Sequence, residues 1–133
     1  MTARPLLASL LVALGIGCSS PSGLTQVPTG RWSGDHVELV VGSASAQLDF
    51  DCAHGTIPSP IPLRDDAFDI AGVYVPEHGG PIVQGEVLPE YAAHYRGTTD
   101  GRRMTLTIEA EGLGNLGTFA LDLGRSARIT KCL

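Results

Sequence analysis

The chain has 133 residues, with 14 carboxylates against nine Lys or Arg. All of the carboxylates and eight of the cations follow residue 17, which gives that part a net charge of −6 with neutral histidines. Its 116 residues suit one compact domain and are too few for two. Because phosphate contacts depend on clustered Lys and Arg, and only Arg102 and Arg103 are adjacent cations, the composition argues against nucleic-acid binding.

Residues 1–17 have the pattern of a secretory signal peptide. A single cation, Arg4, precedes an uncharged run from Pro5 to Gly17. That run is shorter than the roughly 20 apolar residues that a membrane-spanning helix needs. We therefore predict that residues 1–17 direct export and are removed.

The residues around Cys18 resemble the bacterial lipobox, in which small or apolar residues precede a cysteine that receives a diacylglyceryl group. Residues 14–17 read LGIG. The resemblance implies a lipid anchor on Cys18, and the alternative is ordinary cleavage nearby that discards it. Ser19, in place of Asp, implies the outer membrane if the host follows the enterobacterial sorting rule. The expected location is thus the cell envelope, with a lipid anchor in the outer membrane or facing the periplasm.

Residues 19–30, SSPSGLTQVPTG, are rich in Ser, Pro, Gly and Thr. Such a composition is typical of a flexible linker. We predict a tether over residues 18–30 and a single domain over residues 31–133.

The three cysteines leave a pair once Cys18 is assigned to the anchor. In an oxidising envelope, Cys52 and Cys132 are most simply a disulfide. The chain-entropy model gives about 4.5 kcal/mol for a loop of this size. The bond would attach the C-terminal residues to the second strand of the domain.

Apolar residues beyond the tether recur with period two, which is the pattern of β-strands. Val37, Leu39 and Val41 form one such set, and similar sets run from Ala46 to Cys52, Phe68 to Tyr74 and Phe119 to Leu123. A further short strand is predicted over residues 128–131. We expect an all-β antiparallel meander of seven or eight strands that forms a small barrel or a two-sheet sandwich.

Asp100-Gly101 predicts a two-residue hairpin turn. That turn would pair Tyr95 with Leu106 and Ala93 with Ile108, so that apolar residues share one face.

Pro58, Pro60 and Pro62 have the same parity within the run IPSPIPL at residues 57–63. They remove every N–H on one side of a strand, so this run is expected to be an edge strand or an extended rim. A barrel with such an edge would be incompletely closed.

Residues 75–91 include about 14 residues without a strand pattern, which exceeds the usual length of hairpin loops. Long loops often carry contact surfaces, although an unselected Gly/Pro loop is equally compatible with the pattern. The residues expected to project are Glu77, His78, Gly79, Gly80 and Pro81.

Histidines lie close to carboxylates at three places along the sequence, His36 beside Asp35, His54 after Asp51 and His78 beside Glu77. Such groups could bind zinc or carry out acid/base chemistry. No spacing typical of a metal site is present, and isolated hydrogen-bonded histidines are the simpler interpretation. Strand parity places His54 on the inward face. No cofactor motif and no Gly-x-Ser-x-Gly elbow occur.

Gly30-Arg31-Trp32 is similar to the Gly-x-Trp motif before the first strand of lipocalins. That resemblance implies a lipocalin-like barrel in which Trp32 fills the base and Arg128 or Arg125 stacks over it. The runs GRWSGDHVELVV, LDFDCAHGTI, EHGGP and GTFALDLGRSARITKCL resemble a group of bacterial envelope proteins without an assigned activity. Small lipoprotein inhibitors of C-type lysozyme also combine a β-barrel with an early and a C-terminal cysteine.

These observations favour a non-enzymatic envelope lipoprotein that binds a small apolar molecule or another envelope protein. The first alternative is a metal site, possibly hydrolytic, built from His36, His54 and His78. The second is inhibition of an extracellular hydrolase by the 75–91 loop. A filled barrel interior would favour a protein partner over a small-molecule ligand.

Overall fold

The computed structural model describes Gly15 and residues 21–133. The predicted lipid-anchor residue Cys18 and, apart from Gly15, the predicted signal peptide lie outside the described residues. Within the described part of the chain, no helix has the length and apolar character needed to cross a membrane.

Eight antiparallel strands follow one another along the chain and close into a barrel. They are β1 (Gly30–Gly34), β2 (Val37–Val41), β3 (Ser45–Phe50), β4 (Ala53–Pro58), β5 (Ala67–Pro76), β6 (Tyr91–Thr99), β7 (Arg103–Ala110) and β8 (Gly114–Leu123). Closure comes from β1 and β8, which pair through Trp32–Leu123 and Ser33–Asp122. The predicted all-β meander is confirmed, and it forms a closed barrel and not a sandwich.

The connections alternate between the two ends of the barrel because successive strands run in opposite directions. The first, third, fifth and seventh connections lie at one end, called the mouth here, and comprise residues 35–36, 51–52, 77–90 and 111–113. The other three connections lie at the opposite end, called the base, and comprise residues 42–44, 59–66 and 100–102.

The barrel interior is packed around Tyr95 of β6, which is fully buried. Its hydroxyl donates a hydrogen bond of 2.7 Å to the carbonyl of Val73, and burial raises the pKa of the phenol. Two glycines make room for the ring. A Cβ at Gly55 would lie 2.3 Å from the Tyr95 hydroxyl, and a Cβ at Gly72 would lie 3.0 Å from the ring. The interior therefore leaves no space for a ligand beside this tyrosine.

The base is closed by a segment that composition assigned to the tether. Val27 donates its backbone N–H to Ile61 at 2.9 Å, and both side chains are buried. Closer to the N-terminus, the backbone N–H of Ser22 donates to the Asp66 carboxylate at 2.9–3.0 Å. Residues 22–28 are therefore part of the domain.

After Pro58 the proline-rich run leaves the sheet and forms an extended rim, the predicted alternative to an edge strand. The barrel is closed, contrary to the prediction. β4 pairs with β5 only as far as Thr56–Val73, and Pro58 pairs with Ser45 of β3 alone. The following residues cross the base, where Ile61 accepts from Val27. The prolines do restrict pairing to one side, as their missing N–H groups require. Residues 25–27 pair with this run on the one side that remains available. The run therefore lies outside the barrel wall, and the barrel stays closed.

The β6–β7 hairpin has the predicted faces and a different register. Tyr95 pairs with Ile108 and Gly97 with Leu106, so each partner lies two residues beyond the predicted one. The turn is centred on Gly101 and Arg102, with Gly101 at φ +95°, which is the position that a type II′ turn reserves for glycine. Asp100 caps this turn by accepting from the backbone N–H groups of Arg102 and Arg103 at 2.8 Å.

Candidate functional site: the mouth of the barrel

The mouth concentrates negative charge. Its four connections contain six carboxylates and no Lys or Arg, namely Asp35, Asp51, Glu77, Glu86, Glu90 and Glu111. Cations reach this end from the C-terminal segment, residues 125–133, which returns from the base along β1. The mouth is therefore an acidic surface that the C-terminal segment partly neutralises.

The C-terminal segment is fixed to the mouth by backbone hydrogen bonds. The N–H of Arg128 donates to Gly34 at 3.2 Å, and the N–H of His36 donates to Arg128 at 2.8 Å. Residues 128–131 form no strand, contrary to the prediction, and contribute a single bridge between Arg128 and Asp35. The reason is that β1 ends at Gly34, so the segment passes beside a turn and has no long ladder to join.

The predicted Cys52–Cys132 disulfide is confirmed. The two sulfur atoms lie at bonding distance, with the Cα atoms 5.3 Å apart and a sequence separation of 80. Cys132 also donates its N–H to the carbonyl of Asp51 at 3.1 Å. The bond attaches the C-terminal segment to the turn between β3 and β4.

His36 and Asp51 form a pair at the mouth. The imidazole Nδ1 lies 2.6 Å from Asp51 Oδ2, while Asp51 Oδ1 accepts from the backbone N–H of Thr130 at 2.9 Å. The Thr130 hydrogen bond, and secondarily His36, hold the pKa of Asp51 below its usual value. An ionised Asp51 keeps the proton of a neutral His36 on Nδ1, so Nε2 is a hydrogen-bond acceptor.

Lys131 joins the end of β3 to the 77–90 connection. Its ammonium group contacts Asp49, donates to the carbonyl of Phe50 at 2.8 Å and lies 3.1 Å from Glu77. The hydrogen bonds to Asp49 and Glu77 raise the pKa of Lys131 against the lowering effect of burial. Glu77 also lies 3.5 Å from Nδ1 of His54. The start of the long loop is thereby attached to β3 and β4.

The connection over residues 77–90 is the long loop predicted from its pattern. Within it, His78 Nε2 lies 2.5 Å from Glu86, and His78 Nδ1 lies 2.9 Å from the carbonyl of Gly79. The Gly79 hydrogen bond and the Glu86 contact raise the pKa of His78, and His78 lowers the pKa of Glu86. Glu86 also accepts from the N–H of Val83 at 3.3 Å. These contacts give the loop a defined shape.

The same loop exposes large apolar side chains. Ile82 is 74% exposed, Val83 68% and Val87 89%. Inward of them, a cavity of about 270 Å³ lies between the loop and the C-terminal segment. Its lining includes Leu88 and Cys132 beside the polar groups of His54 and Lys131. Ile82 also lines this cavity despite its exposure, whereas Val83 and Val87 lie outside it.

A second, smaller cavity, termed the mouth recess, opens between the ends of β3, β5, β7 and β8. Its volume is about 180 Å³. Phe50 forms its centre, with ring centroids 5.8 Å from Tyr74 and 5.7 Å from Phe119. The full lining is His36, Phe50, Asp51, Cys52, Tyr74, Ile108 and Phe119.

The three histidines that the sequence offered as metal ligands do not share one site, because His54 and His78 line the 270 Å³ cavity whereas His36 lines another. His36, His54 and His78 each contact a different carboxylate, Asp51, Glu77 and Glu86. Among the described residues, no group of three or more His, Cys, Asp or Glu side chains is arranged to hold a metal ion.

The inward orientation predicted for His54 is wrong, because the tight turn at residues 51–52 ends β3 and resets the parity. Phe50 and Ala53 face each other on the inside, which leaves the intervening turn residue Cys52 at the mouth and His54 exposed outside.

Trp32 is fully buried, as the lipocalin resemblance implied. Its indole Nε1 donates to the carbonyl of Pro28 at 3.0 Å, on the side of the base. Arg128 instead lies at the mouth, exposed, and meets β1 through its backbone. The guanidinium of Arg125 contacts Asp35 at 3.2 Å and Asp122 at 3.6 Å. The implied stacking of an arginine over Trp32 is therefore replaced by ion pairs on the barrel surface.

No family model, curated protein or solved structure matches this chain.

Several residues of the mouth carry no signal that sequence reasoning could use. Lys131 is the chain's one lysine, yet its contacts with Asp49 and Glu77 join residues more than 50 positions away. Asp51 was noted only as a neighbour of His54, whereas its partners are His36 and Thr130. The length and Gly/Pro content of residues 77–90 did predict the longest of the four connections at the mouth.

Proposed function

We propose that this chain is a lipid-anchored envelope protein, without catalytic activity, whose 77–90 loop binds another protein. The observation that carries the proposal is the outward exposure of Ile82, Val83 and Val87 on a loop with a defined internal structure. Exposed apolar groups rimmed by polar residues are typical of interaction sites. The packed interior around Tyr95 favours a protein partner over a ligand held inside the barrel.

The charge of the loop indicates the character of the partner. Glu77, Glu86 and Glu90 lie in the same connection as the apolar side chains, and residues 77–90 contain no Lys or Arg. Anionic lipid surfaces attract basic segments and repel acidic ones. The loop therefore suits a protein with an apolar cleft bordered by Lys and Arg, and it does not suit insertion into a bilayer.

The position of the anchor fits this proposal. Ser22 is bound to Asp66 at the base, and Cys18 precedes Ser22 by four residues. Four residues reach at most about 14 Å. A lipid on Cys18 would hold the base close to the membrane, so that the mouth and its loop face away from it.

Site-specific photo-crosslinking in intact cells tests the partner. A photoreactive residue in place of Val83 should give a discrete larger product, whereas the same residue in place of Val40, on the outer face of β2, should not. Glu90→Lys should reduce the yield at position 83 by opposing a basic partner. Equal products from both positions, or none from position 83, would contradict the proposal.

Lipidation has its own test. Cells supplied with labelled palmitate should label the wild-type chain, and Cys18→Ala should abolish the label and release the protein from the membrane fraction. Retained labelling in Cys18→Ala would show that the anchor is elsewhere.

A further inference from the structure

The mouth recess has the size of one aromatic ring. Its volume of about 180 Å³ is close to the roughly 150 Å³ of an apolar cavity known to accept benzene. Phe50, Tyr74 and Phe119 supply ring surfaces from three different strands, and the two measured ring pairs are tilted by 55° and 50°. Tilted arrangements with centroids at this separation are favourable between aromatic groups. A further ring could be accommodated at the open side, because Tyr74 and Phe119 are only partly buried.

The rim of the recess adds one oriented polar group. His36 lines the recess, and its side chain is 66% exposed. Asp51 occupies Nδ1, and Nε2 has no hydrogen-bond partner among the described residues. The accepting Nε2 of a neutral imidazole is positioned to take a hydrogen bond from a donor, such as a hydroxyl group, on an occupant of the recess.

The backbone of His36 is arranged to hold this ring in place. It adopts φ +71°, a left-handed conformation that costs energy for residues other than glycine. The hydrogen bond from its N–H to Arg128, together with the side-chain contact with Asp51, maintains that conformation. Asp51 is fixed in turn by Thr130 and the adjacent disulfide.

We infer that the mouth recess binds a phenolic ring, with the ring against Phe50, Tyr74 and Phe119 and the hydroxyl donating to Nε2 of His36. The phenol could be a free small molecule or the side chain of a tyrosine on a bound protein. This site is separate from the apolar residues of the 77–90 loop and stands whether or not the loop binds a partner.

NMR titration of the purified protein tests the inference, with p-cresol as the probe and toluene as the matched ring without a hydroxyl. p-Cresol should shift the Ile108 methyl and His36 ring resonances saturably. One hydrogen bond contributes about 0.5–1.5 kcal/mol, which corresponds to roughly 3- to 10-fold tighter binding than toluene. N-acetyl-tyrosinamide separates the sources. If it binds as well as p-cresol, the recess suits a protein tyrosine, and if p-cresol alone binds, the recess suits a free phenol.

Variants assign the contact to His36. His36→Gly should fold, since a φ of +71° is accessible to glycine without strain, and should reduce the affinity for p-cresol to that for toluene measured in the same variant. His94→Gly, at an exposed histidine that contacts Asp69 on the barrel wall, is the control and should leave both affinities as they are. Asn also tolerates the left-handed backbone conformation, so His36→Asn replaces the glycine variant in this test if that variant is unstable. Absence of saturable p-cresol binding, or equal p-cresol and toluene affinities in the wild-type protein, would overturn the inference.

Discussion

Val27 and Ile61 close the base of the barrel together, joined by a backbone hydrogen bond of 2.9 Å with both side chains removed from solvent. The two residues belong to segments that contribute no strand to the barrel. Their contact makes the residues before β1 an integral part of the fold.

Val27→Ala should lower the free energy of unfolding by about 2 kcal/mol, because it removes buried methyl groups and leaves a cavity. Val40→Ala is the matched control. Val40 is 37% exposed on the outer face of β2, so the loss there should be well under 1 kcal/mol. Urea denaturation of both variants measures the difference. Equal losses would show that residues 22–28 do not contribute to stability.

Replacing both disulfide cysteines should cost up to about 4.5 kcal/mol of unfolding free energy, since the loop that they close spans 80 residues. The backbone amides of Thr130 and Cys132, which donate to Asp51, should also lose protection from hydrogen exchange. Cys18→Ser, which removes the one cysteine outside the disulfide, should leave the unfolding free energy unchanged. A double variant Cys52→Ala/Cys132→Ala that unfolds at the wild-type urea concentration would contradict this prediction.

The His78–Glu86 contact should make the order of the 77–90 loop depend on pH. The Gly79 carbonyl and Glu86 raise the pKa of His78, so its contribution is complete below about pH 6.5 and is lost as the pH rises through the raised value. The pKa of Glu86 is lowered, so its contribution is complete above about pH 4.5 and is lost at lower pH. The loop should be most ordered between these limits.

Backbone order parameters of residues 82–87 measure this effect. They should fall between pH 5.5 and pH 8.5 in the wild-type protein. Glu86→Gln should flatten the dependence and lower the pKa of His78 only part of the way, because the Gly79 hydrogen bond persists. Glu90→Gln removes the same charge from the far end of the loop and should change neither quantity. A flat profile in the wild-type protein would refute the role of the pair.

The register of the β6–β7 hairpin shows what the alternation of apolar residues can predict and what it cannot. Alternation decides which face a residue occupies, so it determines the pairing of β6 and β7 only to within steps of two. Tyr95 faces inward whether its partner on β7 is Leu106 or Ile108. The choice depends on whether the turn is centred after Asp100 or after Gly101, and the Asp100 cap on Arg102 and Arg103 cannot be inferred from alternation.

The candidate site was less predictable than the fold for a related reason. Strands follow from local periodicity, whereas His36–Asp51 and Lys131–Glu77 join residues 15 and 54 positions apart. The orientation of His54 depended on a two-residue turn that interrupts an otherwise continuous pattern. Composition also failed for residues 22–28, because Leu24 and Val27 are isolated apolar residues in a polar stretch and the burial of Val27 depends on Ile61.

Barrel closure through β1 and β8, together with the contact of Val27 with Ile61, has a consequence for how the chain folds. Hairpins of neighbouring strands can form early, whereas β1 and β8 pair only after both terminal regions have been made, so these closing contacts form late and between distant residues. Contacts between distant residues slow folding, and free strand edges are prone to association. We expect the unpaired edges of β1 and β8 to be prone to association until these two strands meet.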